Sequence, residues 1–429
     1  MYKWILLIFY LYSYSIFAEE NIQNVLLRLS SEHTSLKAAE KEMLSAFYSS
    51  RYATSTYPDP MIGIAWSNYP YKKDLKLIED KTPMTGIEFK ISQAIPFPGR
   101  LSTQADISET NFKIARLQYA MQRNRLAFDF LSLALEKRKN QKLLNISKDI
   151  YTKLKILVEV KKVAYSTGKQ GLGPLSRIRW KEALYKDKEL KFEGEKKVIK
   201  EKLMYFFPGE EIEFGNLNGY IKDLEASILQ EGIDLEKASL GIAIARIQLE
   251  KGQKEKSLSK FNYYPDFELF ASYRKRAYIA SDPTPAQDFM SFGFSLRLPV
   301  WSAMSNSSNV KAREEHYSSV LLSKEDIVRK ETQSYAELKE KLLSSKERFK
   351  SFQTLLLPVA KEQLETSRFD YENGKAEFEK FLEAWDLLFS TQLEMALLEE
   401  EKGRQILLLA FLSNRILPEL TQTKEKTDE

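Results

Sequence analysis

The stretch ISQAIPFPGR, residues 91–100, constrains the fold more than any other. An alternating, strand-like run meets two prolines and a glycine, and more than sixty residues of purely helical pattern come after it. Proline fixes φ and removes a ladder donor, so this turn ends a sheet and aims a helix. The event recurs about two hundred residues later. FKISQAIP (89–96) falls on FGFSLRLP (292–299), with Phe89, Ile91 and Ile95 matching Phe292, Phe294 and Leu298, and Gln93 matching Leu296. Downstream, YSTG (165–168) pairs with YENG (371–374), 72 and 75 residues after the respective prolines. The pattern predicts two copies of one unit.

Each predicted unit opens with a shorter helical stretch, 20–54 or 230–259. Two strands follow, 61–69 and 86–95 in the first unit, 266–275 and 289–298 in the second. The strands stop at turns built by Pro96, Pro98 and Gly99, and by Pro299. Long helices over 102–165 and 302–371 then run to tips at Gly168 and Gly374, and helices over 175–206 and 377–415 return. At 1.5 Å per residue each long helix would span on the order of 100 Å. In the second, Tyr335, Leu338, Leu342, Ser345, Phe349, Phe352, Leu356 and Val359 follow a coiled-coil spacing, with a kink or a packing irregularity expected at Pro358. Along the strands, Phe89, Ile91, Phe292, Phe294 and Leu296 alternate with Glu88, Lys90, Ser295 and Arg297. Strands of roughly ten residues, apolar on one side and polar on the other, suit a lipid-facing barrel with a wet interior. A soluble two-layer sheet has the same alternation. Four strands cannot close a barrel alone, so a barrel requires oligomerisation.

The first eighteen residues, MYKWILLIFYLYSYSIFA, read as a secretory signal cleaved after Ala18. The expected organisation is a signal (1–18), a first structural repeat (19–214), an inter-repeat linker (215–229), a second repeat (230–417) and a disordered tail (418–429). The 429 residues contain no cysteine, which excludes disulfides, thiol chemistry and Cys-held metals. No later run reaches the ~18 apolar residues of a transmembrane helix, so membrane entry would be as a barrel. The 65 basic and 60 acidic residues are interspersed, leaving no nucleic-acid footprint.

In this order and in two copies, SQAIPFPGR, YYPDFELFASY (263–273), RLPVW (297–301) and both Tyr-x-x-Gly turns resemble the bacterial outer-membrane efflux protein (TolC) family. The resemblance covers roughly residues 20–415. It implies a mainly α protein with a membrane β part: a homotrimer whose twelve-stranded outer-membrane barrel continues as a long periplasmic α-helical barrel. It implies an exit duct for tripartite efflux or type I secretion, working with a periplasmic adaptor protein and an inner-membrane pump, with outer-membrane lipid around the strands. The first helix departs from the family's frequent Asn-Pro start, reading SSEHTSLKAAE (30–40).

By the same resemblance, Tyr165, Gly168, Lys169, Gly374 and Lys375 form adaptor-contacting hairpin tips, and the first tip is unusual in its extra glycines and Pro174. Glu379, Glu383 and Asp386 fall at i, i+4 and i+7 of one helix, where threefold repetition would place carboxylate rings at a tunnel mouth. The family's carboxylate at the ninth position after the tip glycine is matched by Glu383, whereas the sixth is Lys380. Tyr371 takes the place of a tip tyrosine whose hydroxyl helps hold the closed state, but Ala376 stands where some members carry its basic partner. A solvated coiled-coil face would show the same carboxylates. The two histidines, His33 and His316, lie in opposite copies and read as ordinary surface helix residues. No catalytic constellation and no cofactor site is expected. The competing function is an exported trimeric coiled-coil spacer or adhesin without transport activity.

Overall fold

The computed structural model describes residues 21–417, apart from 76, 79–83, 169–170, 211, 213, 230–232 and 278–286. The expected signal, the expected tail and Lys169 lie outside the described residues. The chain forms two compact units, one of Met1–Glu40, Gln118–Ala243 and Val328–Glu429, the other of Lys41–Leu117 and Ile244–Ile327.

The second of these units holds a four-stranded antiparallel sheet in the order β1-β2-β3-β4: β1 (Met61–Ser67), β2 (Gly86–Ile95), β3 (Asp266–Arg276) and β4 (Phe289–Arg297). Asn68, at φ 60°, ends β1 two residues earlier than the alternation suggested. The register puts Ile91 opposite Ile62 and Ala271, Phe89 opposite Ile64 and Tyr273, and Phe294 opposite Leu269. Because side chains alternate with period 2, this register gathers Phe89, Ile91, Phe292, Phe294 and Leu296 onto one face.

The proline turn after β2 is tied to the start of β3. Gly99 takes φ 89°, and a Cβ there would meet the Phe261 ring at 3.1 Å, so only glycine fits. The Arg100 guanidinium donates to Asp266 Oδ2 and to the Phe261 carbonyl, each at 2.7 Å, while Asp266 Oδ1 accepts from the Phe97 N–H at 3.1 Å. Phe97 stacks on Tyr264 at 4.4 Å. Asp266 therefore joins the end of one strand pair to the beginning of the next.

The helices are α1 (Ile22–Glu32), α2 (Thr34–Ser55), α3 (Arg100–Ser166), α4 (Leu172–Met204), α5 (Leu217–Leu229), α6 (Leu235–Ala238), α7 (Leu240–Lys260), α8 (Ser302–Ser351), α9 (Leu357–Glu372) and α10 (Phe378–Leu412). In the first unit Phe130 is fully buried among the rings of Phe206, Phe207 and Phe214, at 5.4–5.8 Å. Three sequence expectations change here. Residues 217–229, read as linker, form α5, which buries Leu217, Ile221, Leu224 and Ile228 at helical spacing in that same core. His33, read as a surface residue, is buried at the α1–α2 junction. The Ser35 N–H points at its Nδ1 (3.3 Å), which leaves Nε2–H to donate to the Tyr205 carbonyl (3.2 Å). His316 is exposed, as expected.

The third change is a shift of phase. Between α8 and α9, Phe352–Leu356 form a π-helical turn, closed by the Leu357 N–H on the Phe352 carbonyl. A π turn takes in one extra residue and rotates the helix beyond it. The predicted seam is buried at Leu342 and Ser345, but from the last residue of the turn onward Leu356 and Val359 face outward and Ala360 and Ser367 point inward instead. In a regular helix Pro358 would leave the Thr354 carbonyl without its i+4 donor; the wider turn is the local answer to that gap.

Candidate functional site

Both tip glycines have left-handed backbones, φ 69° at Gly168 and φ 70° at Gly374, and a Cβ at either would meet nothing. Their constraint is conformational rather than steric. The Gly168 N–H donates to the Tyr165 carbonyl at 3.0 Å and the Gly374 N–H to the Tyr371 carbonyl at 3.1 Å. Lys375 is exposed, and its N–H closes the turn on the Asp370 carbonyl. Pro174 lies in the first turn of α4, where a missing N–H costs nothing.

Below the tips, the hairpin α3–α4 meets α9–α10 through Ile150, Leu154, Val158, Leu175, Ile178 and Tyr185 on one side and Phe378, Phe381, Leu382 and Phe389 on the other. Lys161 is buried in this contact. Its ammonium lies 3.9 Å from the Phe378 ring centre and 4.7 Å from that of Tyr371, and donates to the Tyr371 hydroxyl. The Tyr371 hydroxyl thus meets a cation from the other hairpin. An ammonium facing two rings and a phenol oxygen in a desolvated site is attracted by both.

The three carboxylates separate. Glu379 pairs with Arg177 at 2.5 Å, and Asp386 pairs with Lys181. Glu383, between them, is exposed and makes no ion pair among the described residues. Arg177, Lys181 and Lys161 were not singled out in the sequence; the i, i+4 spacing of Arg177 and Lys181 was the one available signal. The Tyr185 phenol is pushed up to about 12, first by burial and then by the Asp386 carboxylate.

The sheet is the other candidate surface. Phe89, Ile91, Phe292, Phe294 and Leu296 share a face with Ile62, Ile64, Trp66, Leu269 and Met290, and all are exposed, Phe292 at 74% and Phe294 at 68%. The opposite face carries Glu88, Lys90, Arg274 and Arg297, with Arg274 donating to Glu88 at 2.5 Å. Phe270 and Phe289 are large aromatics on that polar face, and Phe270 is the one at its middle. It lies against Gly293, where a Cβ would meet its ring at 2.5 Å, and Lys90 sits 4.7 Å from its centre. No helix among the described residues is long and apolar enough to cross a membrane.

No family model matches the chain and no curated protein matches it. Solved structures do. A structure of CusC, described in terms of folding and transmembrane channel formation, superposes with a TM-score of 0.76 at 15% identity, covering 92% of both chains. The outer membrane protein VceC of Vibrio cholerae gives 0.74 at 15% identity, over 91% of this chain and 96% of its own. The CmeC outer membrane channel of Campylobacter jejuni gives 0.73 at 13% identity, over 92% and 86%. At such identities the likeness is one of fold, and the fold is that of the outer-membrane efflux protein (TolC) family that the sequence resembles.

Proposed function

We propose that the protein is the outer-membrane exit duct of a tripartite efflux or type I secretion system, acting as a homotrimer with a periplasmic adaptor and an inner-membrane pump. The observation that carries this reading is the sheet. A continuous face of exposed aromatic and branched side chains across four strands exceeds what a soluble surface tolerates. Lipid covers such a face. Among the described residues the outer strands β1 and β4 have no neighbour on one side, and a membrane sheet must close its edges. Three copies supply twelve strands, a number that closes, and the two strand–turn–hairpin units act as repeats within each copy. The solved structures of like fold are themselves described as outer membrane channels. A trimeric spacer or adhesin would have no use for this face.

In this reading the tips receive the adaptor, the Lys161–Tyr371 contact holds the mouth closed, and Glu383 is the carboxylate free to line it. The test is substituted-cysteine labelling in intact outer membranes, which the cysteine-free chain allows without background. A membrane-impermeant reagent entering through the lumen should label Lys90→Cys and spare Phe294→Cys. Phe294→Arg should cost roughly 2–4 kcal/mol if it lies near the bilayer midplane. Equal labelling at both positions would sink the lipid-facing assignment.

A further inference from the structure

The polar face of the sheet is unevenly charged. In the half away from the proline turns, residues 272–276 of β3 and their ladder partners put Lys90, Arg274 and Arg276 on that face against the carboxylate of Glu88. Arg274 is neutralised by Glu88 at 2.5 Å. Lys90 and Arg276 make no ion pair among the described residues, and each is set over an aromatic ring instead. The Lys90 ammonium lies 4.7 Å from the centre of Phe270, and the Arg276 guanidinium 5.2 Å from that of Phe289. The Arg276 Nε–H is buried and finds no acceptor among the described residues. A buried donor without a partner is costly, so this geometry suits an acceptor that the chain does not supply.

The rings are presented rather than packed away. Phe270 leans across Gly293, and a Cβ there, 2.5 Å from the ring, would lift it off the sheet. Gly63, Ala65 and Ser291, on the same face nearby, are too short to cover either ring. Lys90 and Phe289 are both exposed. Each ring beside an uncompensated cation offers an apolar platform and a charge within reach of one small molecule. An exposed ion pair binds weakly, and so does an exposed ring; a molecule that meets both gains from each. An inorganic anion meets the charge alone, and an aromatic cation is repelled.

We propose that this half of the polar face is a binding site for organic anions that carry an aromatic body. The anionic group meets Lys90 or Arg276, and the body lies on Phe270 or Phe289. The inference rests on the outer-membrane channel reading, which puts this face in the lumen, and adds the class of molecule that the lumen retains. Three copies would set three such sites around one aqueous passage, where clustered cations raise the local concentration of anions.

The experiment is planar-bilayer recording of the purified channel with naphthalene-2-sulfonate as the probe. The probe should reduce the current saturably, whereas equal concentrations of sodium sulfate or of benzyltrimethylammonium should not. Phe270→Ala and Lys90→Gln should each raise the half-blocking concentration several-fold, and Lys90→Arg should keep it near that of the wild type. Adding Arg276→Gln to Lys90→Gln should raise it further. Block by sulfate as strong as by naphthalene-2-sulfonate would reduce the site to charge alone and overturn it. Absence of saturable block, or block unchanged in both Phe270→Ala and Lys90→Gln, would overturn it as well. In each of these outcomes the protein still conducts, and the channel reading stands. A protein that forms no conducting channel and is monomeric by native mass would overturn the channel reading, and this site with it.

Discussion

The two hairpins solve the same geometric problem in different ways. The first sends α3 through 67 residues without a break, and its buried seam keeps one phase from Leu143 to Lys161. The second interrupts its outgoing helix at Phe352–Leu356, changes phase, and reaches its tip with a different set of inward residues. The first is rich in lysine and the second in carboxylates. A continuous helix fixes the angular position of every later residue, whereas a π turn leaves an adjustable joint. The difference assigns rigidity to the first hairpin and adaptability to the second.

Deleting one residue from each hairpin tests this contrast most severely. Removing Thr152 from α3 should rotate everything beyond it by about 100°. Leu154 and Val158 would leave the core, costing roughly 3–6 kcal/mol for the two side chains. Removing Gln353 should convert the π turn to ordinary helix and leave α9 in register, so that the loss is confined to what Pro358 costs inside a regular helix, about 3 kcal/mol. Thermal unfolding of the two purified variants checks this; equal losses would mean that the π turn is not an adjustable joint.

The next effect is at Lys161. If the ammonium and the Tyr371 hydroxyl act as a unit, Lys161→Met and Tyr371→Phe should be non-additive by about 1–2 kcal/mol in a double-mutant cycle on stability. Hydrogen exchange at the second tip should rise in each variant. Strict additivity would separate the two groups.

Glu383→Gln should reduce cation preference in planar-bilayer recordings, read as a shifted reversal potential in a salt gradient, without disturbing assembly. The same change at Glu379 should act less on selectivity and more on stability, since that carboxylate is engaged by Arg177. Identical selectivity in wild type and Glu383→Gln would leave the mouth to another lining.

A further effect concerns Tyr185. Its phenol ionises more readily unfolded, near its ordinary value of 10.0, than folded, at about 12. The contribution is therefore fully present below pH 10 and is lost as pH rises toward 12. Tyr185→Phe should flatten the alkaline limb of the stability profile across that window.

Much of the fold was legible in the sequence, and the reasons are physical. The strands could be placed almost to the residue, because period-2 alternation ends abruptly at Pro96 and Pro299, and both tip glycines could be located because a long helix must turn there. The helical phase beyond Pro358 could not be read: a proline announces a disturbance but not whether the chain kinks or takes in a residue. Nor could α5, whose short apolar stripe comes after FPGEEIEFGN, a stretch that looks like a connection. His33 is polar in composition and buried in fact, and its long-range partner Tyr205 lies beyond any local pattern. The partners of Tyr371, Glu379 and Asp386 come from some two hundred residues away, beyond the reach of any local pattern.

Assembly of this chain into a trimeric outer-membrane channel can be checked directly by native mass spectrometry of protein extracted gently from separated membrane fractions. A trimeric channel should be recovered from the outer membrane as a species of three copies that keeps its mass until heated in detergent. Recovery of a single copy in the soluble periplasmic fraction would contradict that assembly.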